Sequence, residues 1–143
     1  MDFEILEGIS RADIAFRVWG GDPVELFTAG AGALLAIMIR NPETVLKKTS
    51  LSFACEAADL EMLYYDFLSE FIFRKDSDKL LLLPEKLEIN RSDGLYRLSC
   101  IASGEAIDRG RHVFAVDIKA ATMHNLSVTR DDNGFSATIV VDV

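Results

Sequence analysis

Positive charge is scarce in this sequence: 15 lysines and arginines face 23 aspartates and glutamates, a formal net charge of −8 with an isoelectric point near 4.7. A chain so acidic repels phosphate backbones and lacks the counterion release that drives non-specific nucleic-acid binding, so direct contact with RNA or DNA is disfavoured. A basic protein partner or a hard cation suits it better. Cysteine is also scarce. Cys55 and Cys100 each fall on the apolar side of an alternating run, where a reduced thiol serves as a small hydrophobe. Two such residues without C-x-x-C spacing make neither a disulfide framework nor a zinc site. Together with an N-terminal stretch that carries Asp2, Glu4 and Glu7 in place of a basic flank and an apolar core, this predicts a reduced, cytosolic setting. Long apolar runs are missing too: the best windows are broken by Gly30, Gly32 and Arg40 or by Glu70 and Arg74, too short to span a bilayer.

Self-sufficient catalytic sets are absent as well. There is no G-x-S-x-G elbow, and the two histidines, His112 and His124, have no zinc spacing. Gly30-x-Gly32 lacks the third glycine of a dinucleotide loop, since Leu35 stands there, and both glycines fall inside a predicted helix, which points to close packing.

Half the residues are hydrophobic, enough for residues 1–143 to close one core as a single domain. Asp22 caps a helix that begins at Pro23, with Glu25 in the capping-box position and an apolar stripe of Val24, Phe27, Ala31, Leu34, Leu35 and Met38; Pro42 follows its end near Ile39. Asp59 caps a second helix, whose stripe of Leu60, Leu63, Tyr64, Phe67, Leu68 and Phe71 opposes Glu61, Asp66 and Glu70. Lys75 to Lys79 reads as a polar loop. The rest alternates with period two: Ile14, Phe16 and Val18; Leu51, Phe53 and Cys55; Leu87 and Ile89, then Tyr96, Leu98 and Cys100 around the turn Asn90 to Gly94; Phe114, Val116 and Ile118; and Phe135 to Val143 after Asp131 to Gly134. The fold class is therefore α+β, two helices packed on a mostly antiparallel or mixed sheet. Arg109, Arg111 and His112 form a small basic cluster that reads as a solvated loop, or as a hold for one phosphate or carboxylate.

Three segments and the terminus carry a resemblance. Ser10-Arg11-Ala12-Asp13-Ile14, Gly104 to His112, Asp117 to His124 and Val140-Val141-Asp142-Val143 resemble, in order and spacing, the archease family. That resemblance implies a small protein cofactor, not itself an enzyme, which activates the GTP-dependent tRNA-splicing RNA ligase by promoting its guanylylation and multiple turnover. It also implies a divalent cation, Ca²⁺ or Mg²⁺, held by Asp13 and Asp142 with a carbonyl or carboxylate oxygen of Val143, and an activation segment of Lys119, Thr122 and His124. Two carboxylates and main-chain oxygens suit such hard cations better than zinc. Lys119 is expected to face away from the Phe114, Val116 and Ile118 side, free to meet the ligase or its nucleotide. The sequence departs from the family where Ser10 and Arg11 replace His-Thr and Ala15 replaces a glycine. Those changes leave open an adaptor or chaperone-like protein on the same fold with no cation and no ligase. A small metal-dependent hydrolase has only the Asp13 and Asp142 pair behind it. Edge strands of an open sheet would permit self-association.

Overall fold

A computed structural model describes residues 3–6 and 12–143. Asp2, Glu7, Ser10 and Arg11 lie outside the described residues. In chain order the elements are β1 (Phe3–Leu6), β2 (Asp13–Gly20), α1 (Pro23–Met38), β3 (Thr49–Ala57), α2 (Leu60–Asp78), β4 (Leu80–Ser92), β5 (Leu95–Ala106), β6 (Ala120–Ala121), β7 (Ser127–Asp131) and β8 (Gly134–Asp142).

The architecture is α+β as expected, but with two sheets. One runs β1-β2-β8-β6, with β7 also paired to β8; the other runs β3-β5-β4. All their pairings are antiparallel. Helix α1 lies against both sheets, touching β2 and β8 on one side and β4 on the other. That position explains why residues all around it are buried, from Leu26 and Phe27 to Ile37 and Met38. No helix among the described residues is long and apolar enough to cross a membrane.

Both helix starts follow from their caps. The Asp22 carboxylate accepts from the Glu25 N–H at 2.8 Å, while Glu25 accepts from the Gly21 N–H at 2.7 Å, so two otherwise orphaned donors are satisfied reciprocally. Asp59 accepts from the Met62 N–H at 2.8 Å. α1 stops at Met38, with Ile39 as an extended cap. α2, in contrast, runs on through the expected loop. Arg74 ties the last turns by pairing with Glu70 and Asp78, each at 3.0 Å, and Lys79 closes the helix in the left-handed region at φ 57°.

Phe114, Val116 and Ile118 do not form the expected strand. Their segment runs extended along the end of α1, where the Ala115 N–H donates to the Met38 carbonyl at 2.8 Å and only Ile39 and Phe114 form a bridge. The alternation survives: Ala115, Asp117 and Lys119 are exposed, whereas Ile118 is buried. The first hairpin turns more tightly than its sequence implies. Only Asp93 and Gly94 lie between β4 and β5, both with positive φ (54° and 77°), the conformation that a two-residue hairpin turn demands.

The helices meet through aromatic rings. Phe27 of α1 lies 5.1 Å from Tyr64 and 5.4 Å from Phe67 of α2, and Phe67 lies 5.0 Å from Phe71. Gly30 permits this approach: a Cβ there would fall 2.5 Å from the Tyr64 hydroxyl oxygen. Helix propensity alone favours alanine over glycine by about 1 kcal/mol. The clash with a fully buried ring should win, and Gly30→Ala should destabilise the fold by roughly 1–3 kcal/mol in chemical denaturation. A stabilised variant would show that the two helices can move apart at no cost.

Candidate cation and activation site

The start of β2 and the end of β8 lie on one rung. Asp13 is the register partner of Asp142, and Ile14, Phe16 and Val18 pair with Val141, Ile139 and Ala137 to form the core side. Strand alternation then puts both aspartates on the other face, where directly opposed Cβ atoms approach to about 5 Å and like charges repel. The Asp142 carboxyl is accordingly held above the usual carboxylate range, first by its hydrogen bond with Asp13, then by desolvation and by the Asp13 charge, with Lys119 pulling the other way. A raised acid binds its proton more tightly when folded. The pair therefore favours folding below the unfolded carboxylate value, and that contribution is lost as pH rises through the folded Asp142 value. At neutral pH the rung is a place where added positive charge would relieve repulsion.

The segment that carries Lys119, Thr122 and His124 reaches this rung from the other side of β8. Ala120 pairs with Asp142, and the Lys119 N–H donates to the Asp142 carbonyl at 2.8 Å. Val143, one residue on, donates its N–H to the Ala12 carbonyl at 2.8 Å. Asp13, Asp142, Val143 and Lys119 thus converge, although they come from opposite ends of the chain. The Lys119 side chain is exposed, and its charge acts on the carboxyls of both Asp142 and Asp117.

Thr122 and His124 are placed differently. The Thr122 hydroxyl donates to the Val140 carbonyl at 2.8 Å, and its backbone N–H donates to the same oxygen at 2.9 Å. Thr122 therefore locks the segment onto β8. His124 stands exposed in the following turn, its N–H 3.3 Å from the Thr122 hydroxyl oxygen.

Lys75 is the residue that sequence reasoning missed. Only 4% exposed, it sends its ammonium from α2 to Asp117 Oδ1 at 2.7 Å, the Ile118 carbonyl at 2.6 Å and Asp76 at 2.8 Å. The first two are hydrogen bonds and the third an ion pair, and the bond to the Ile118 carbonyl fixes the backbone immediately before Lys119. A signal was present: Lys75 lies four residues after Phe71 and so continues the buried stripe.

The basic cluster is structural. Arg111 pairs with Glu105, with Asp108 at 3.3 Å and with the Thr44 carbonyl at 3.1 Å. Buried His112 accepts the Asp108 N–H on Nδ1 at 2.9 Å, so its Nε2 carries the proton toward Glu105 at 3.0 Å. Arg109 lies over the Phe114 ring at 4.7 Å. The cysteines also match their core reading: Cys100 is buried and Cys55 half-buried, and burial raises the Cys55 thiol to about 11 and the Cys100 thiol to about 12. Among the described residues, no group of three histidines, cysteines or acids is placed to hold a metal ion. A cation on the aspartate pair would need main-chain oxygens or water to complete its shell.

Glu105 offers a clean pH test of the knot. The Leu46 N–H, then Arg111 and His112, hold its carboxyl down at about 2 against an ordinary 4.5. Its stabilising contribution is present above the unfolded value and disappears as pH falls from 4.5 to about 2. The melting temperature should drop across that window, and Glu105→Gln, less stable at neutral pH, should lack that share of the drop. An unchanged acid profile in the variant would remove Glu105 from the account.

Comparison with known proteins gives the family and the fold. The model of the archease protein family (MTH1598/TM1083) matches residues 3–143. The protein archease of Methanopyrus kandleri is 35% identical over 133 residues, 92% of this chain and 94% of that protein. The protein archease of Methanosarcina mazei is 32% identical over 142 residues, 99% and 95% of the two chains. The solution structure of Methanobacterium thermoautotrophicum protein 1598 superposes with a TM-score of 0.84 at 27% identity, covering 99% of this chain and 98% of its own. A crystal structure from Thermotoga maritima, described as an archease and possible chaperone, shares the fold with a TM-score of 0.62 at 20% identity, covering 98% of each chain. The chain belongs to the archease protein family.

Proposed function

We propose that this protein activates a GTP-dependent tRNA-splicing RNA ligase, presenting Lys119 and a Ca²⁺ or Mg²⁺ ion held by Asp13, Asp142 and a Val143 oxygen near the ligase's nucleotide. The observation that carries the reading is the shared rung: Asp13 opposite Asp142, with the Lys119 backbone bonded to Asp142. The residues fit a hard cation because their one strain is negative charge, expressed in the raised Asp142 carboxyl. When bound, the ion supplies positive charge close to phosphoryl oxygens.

The chain's own residues supply the rest. Lys75 and the Thr122 backbone N–H hold the segment before and after Lys119 against α2 and β8. The Lys119 ammonium, exposed beside the rung, stabilises the charge that develops on a phosphoryl group during guanylyl transfer, without reorganising at the moment of reaction. A competing reading, an adaptor of chaperone-like type with neither ion nor ligase, is favoured by the lack of a third acid, histidine or cysteine at the rung among the described residues.

The two readings separate in one assay, guanylylation of the cognate ligase by GTP with and without this protein. Activation should fall at least about tenfold in Lys119→Ala and in Asp13→Ala, while Thr122→Val should retain most of it, since that hydroxyl serves the strand ladder. Unchanged ligase kinetics with the folded wild-type chain would sink the activator reading and leave the adaptor.

A further inference from the structure

The single tryptophan, Trp19, stands 45% exposed near the end of β2. It lies six residues, about 20 Å, along the strand from Asp13. It forms one wall of a groove of about 610 Å³ between the β2–α1 turn and the β7–β8 hairpin, lined also by Glu25, Thr28, Asp131, Asn133 and Phe135.

The groove is preformed. Gly134 has φ +124°, and a Cβ there would fall 2.7 Å from the Gly20 carbonyl oxygen; one on Gly20 would fall 2.4 Å from the Leu26 nitrogen. The two turns therefore touch backbone to backbone, which leaves the walls little freedom.

The charged side chains that line it are both acidic. Glu25 uses Oε2 to accept the Gly21 N–H, and Asp131 uses Oδ1 to accept the Asn133 N–H, both at 2.7 Å. The other oxygen of each has no hydrogen-bond partner among the described residues, and no lysine or arginine lines the groove. The chain places arginines over several of its other aromatic rings, Arg74 over Phe73, Arg91 over Tyr96, Arg109 over Phe114 and, at the edge of this groove, Arg130 over Phe135, at 4.7–5.7 Å. Indole is the best of these rings for a cation, yet among the described residues Trp19 carries none.

We propose that this groove receives an arginine side chain from a basic segment of a partner protein, its guanidinium stacked on Trp19 and hydrogen-bonded to Glu25 and Asp131. Arginine fits better than lysine because a planar guanidinium stacks and bonds two carboxylates at once. An exposed tryptophan in a rigid groove is the kind of residue on which interface energy concentrates, and the net charge of −8 would steer a basic segment toward it. The proposal does not depend on the ligase reading.

Trp19 is its own reporter. The whole chain would be titrated at near-physiological salt with a blocked Gly-Arg-Gly-Arg-Gly peptide while indole fluorescence is followed. A saturable change is expected, with Kd raised at least about tenfold in a Glu25→Gln, Asp131→Asn double variant that keeps acceptors for Gly21 and Asn133. Calorimetry on Trp19→Leu should find the binding heat gone, with the circular dichroism spectrum unchanged. The proposal is overturned by no saturable change, by undiminished binding in the folded double variant, or by an equally charged lysine peptide binding as well, which would mean attraction to net charge alone.

Discussion

The register of β8 is the constraint on which the rest depends. This strand lies between β2 on one side and β6 and β7 on the other, and its pairing sets Ile139 and Val141 into the core while Asp142 stands opposite Asp13. A slip by one residue would turn every side chain of the strand over, taking Ile139 and Val141 out of the core cluster and driving a carboxylate toward it. The hydrophobic pattern therefore enforces the position of the charged rung. The repulsion there follows from a register fixed by the core, and it is relieved in part by the hydrogen bond that raises the Asp142 carboxyl.

Lys75 connects that rung to the helical layer. A lysine buried at the end of an amphipathic helix is costly unless its charge is paired, and here it is paired by two hydrogen bonds to the stretch that leads into Lys119 and by Asp76. One side chain thus couples the last turns of α2, themselves held by Arg74, to the residue beside the rung. The knot around Glu105 does a similar job on the other flank, tying Leu46, Arg111 and His112 together.

Local signals in the sequence were faithful wherever a single element decided the outcome. Asp22 and Asp59 cap their helices as their spacing indicates, and the exposed face of Lys119 follows from period-two alternation even where no strand forms. Long-range partnerships were harder to read. Nothing local tells that Lys75 meets Asp117, or that Arg111 and His112 turn toward Glu105, so one residue passed as loop and the others as a solvated cluster. The division into two sheets was likewise hidden, because alternation reports burial of a face and not which strands share it. Asp13 and Asp142 came from family resemblance; the structure adds that they are neighbours on one rung.

A proton at low pH and the proposed hard cation at neutral pH are alternative ways of neutralising this rung. Calorimetric titration of the metal-stripped protein with Ca²⁺ and Mg²⁺, repeated in buffers of different ionisation enthalpy and on Asp142→Asn, tests this directly. One ion should bind per chain, more tightly as pH rises through the raised Asp142 value and with proton release near it, and the variant should not bind. Absence of binding in the folded wild-type chain, or equal binding by Asp142→Asn, would contradict the account.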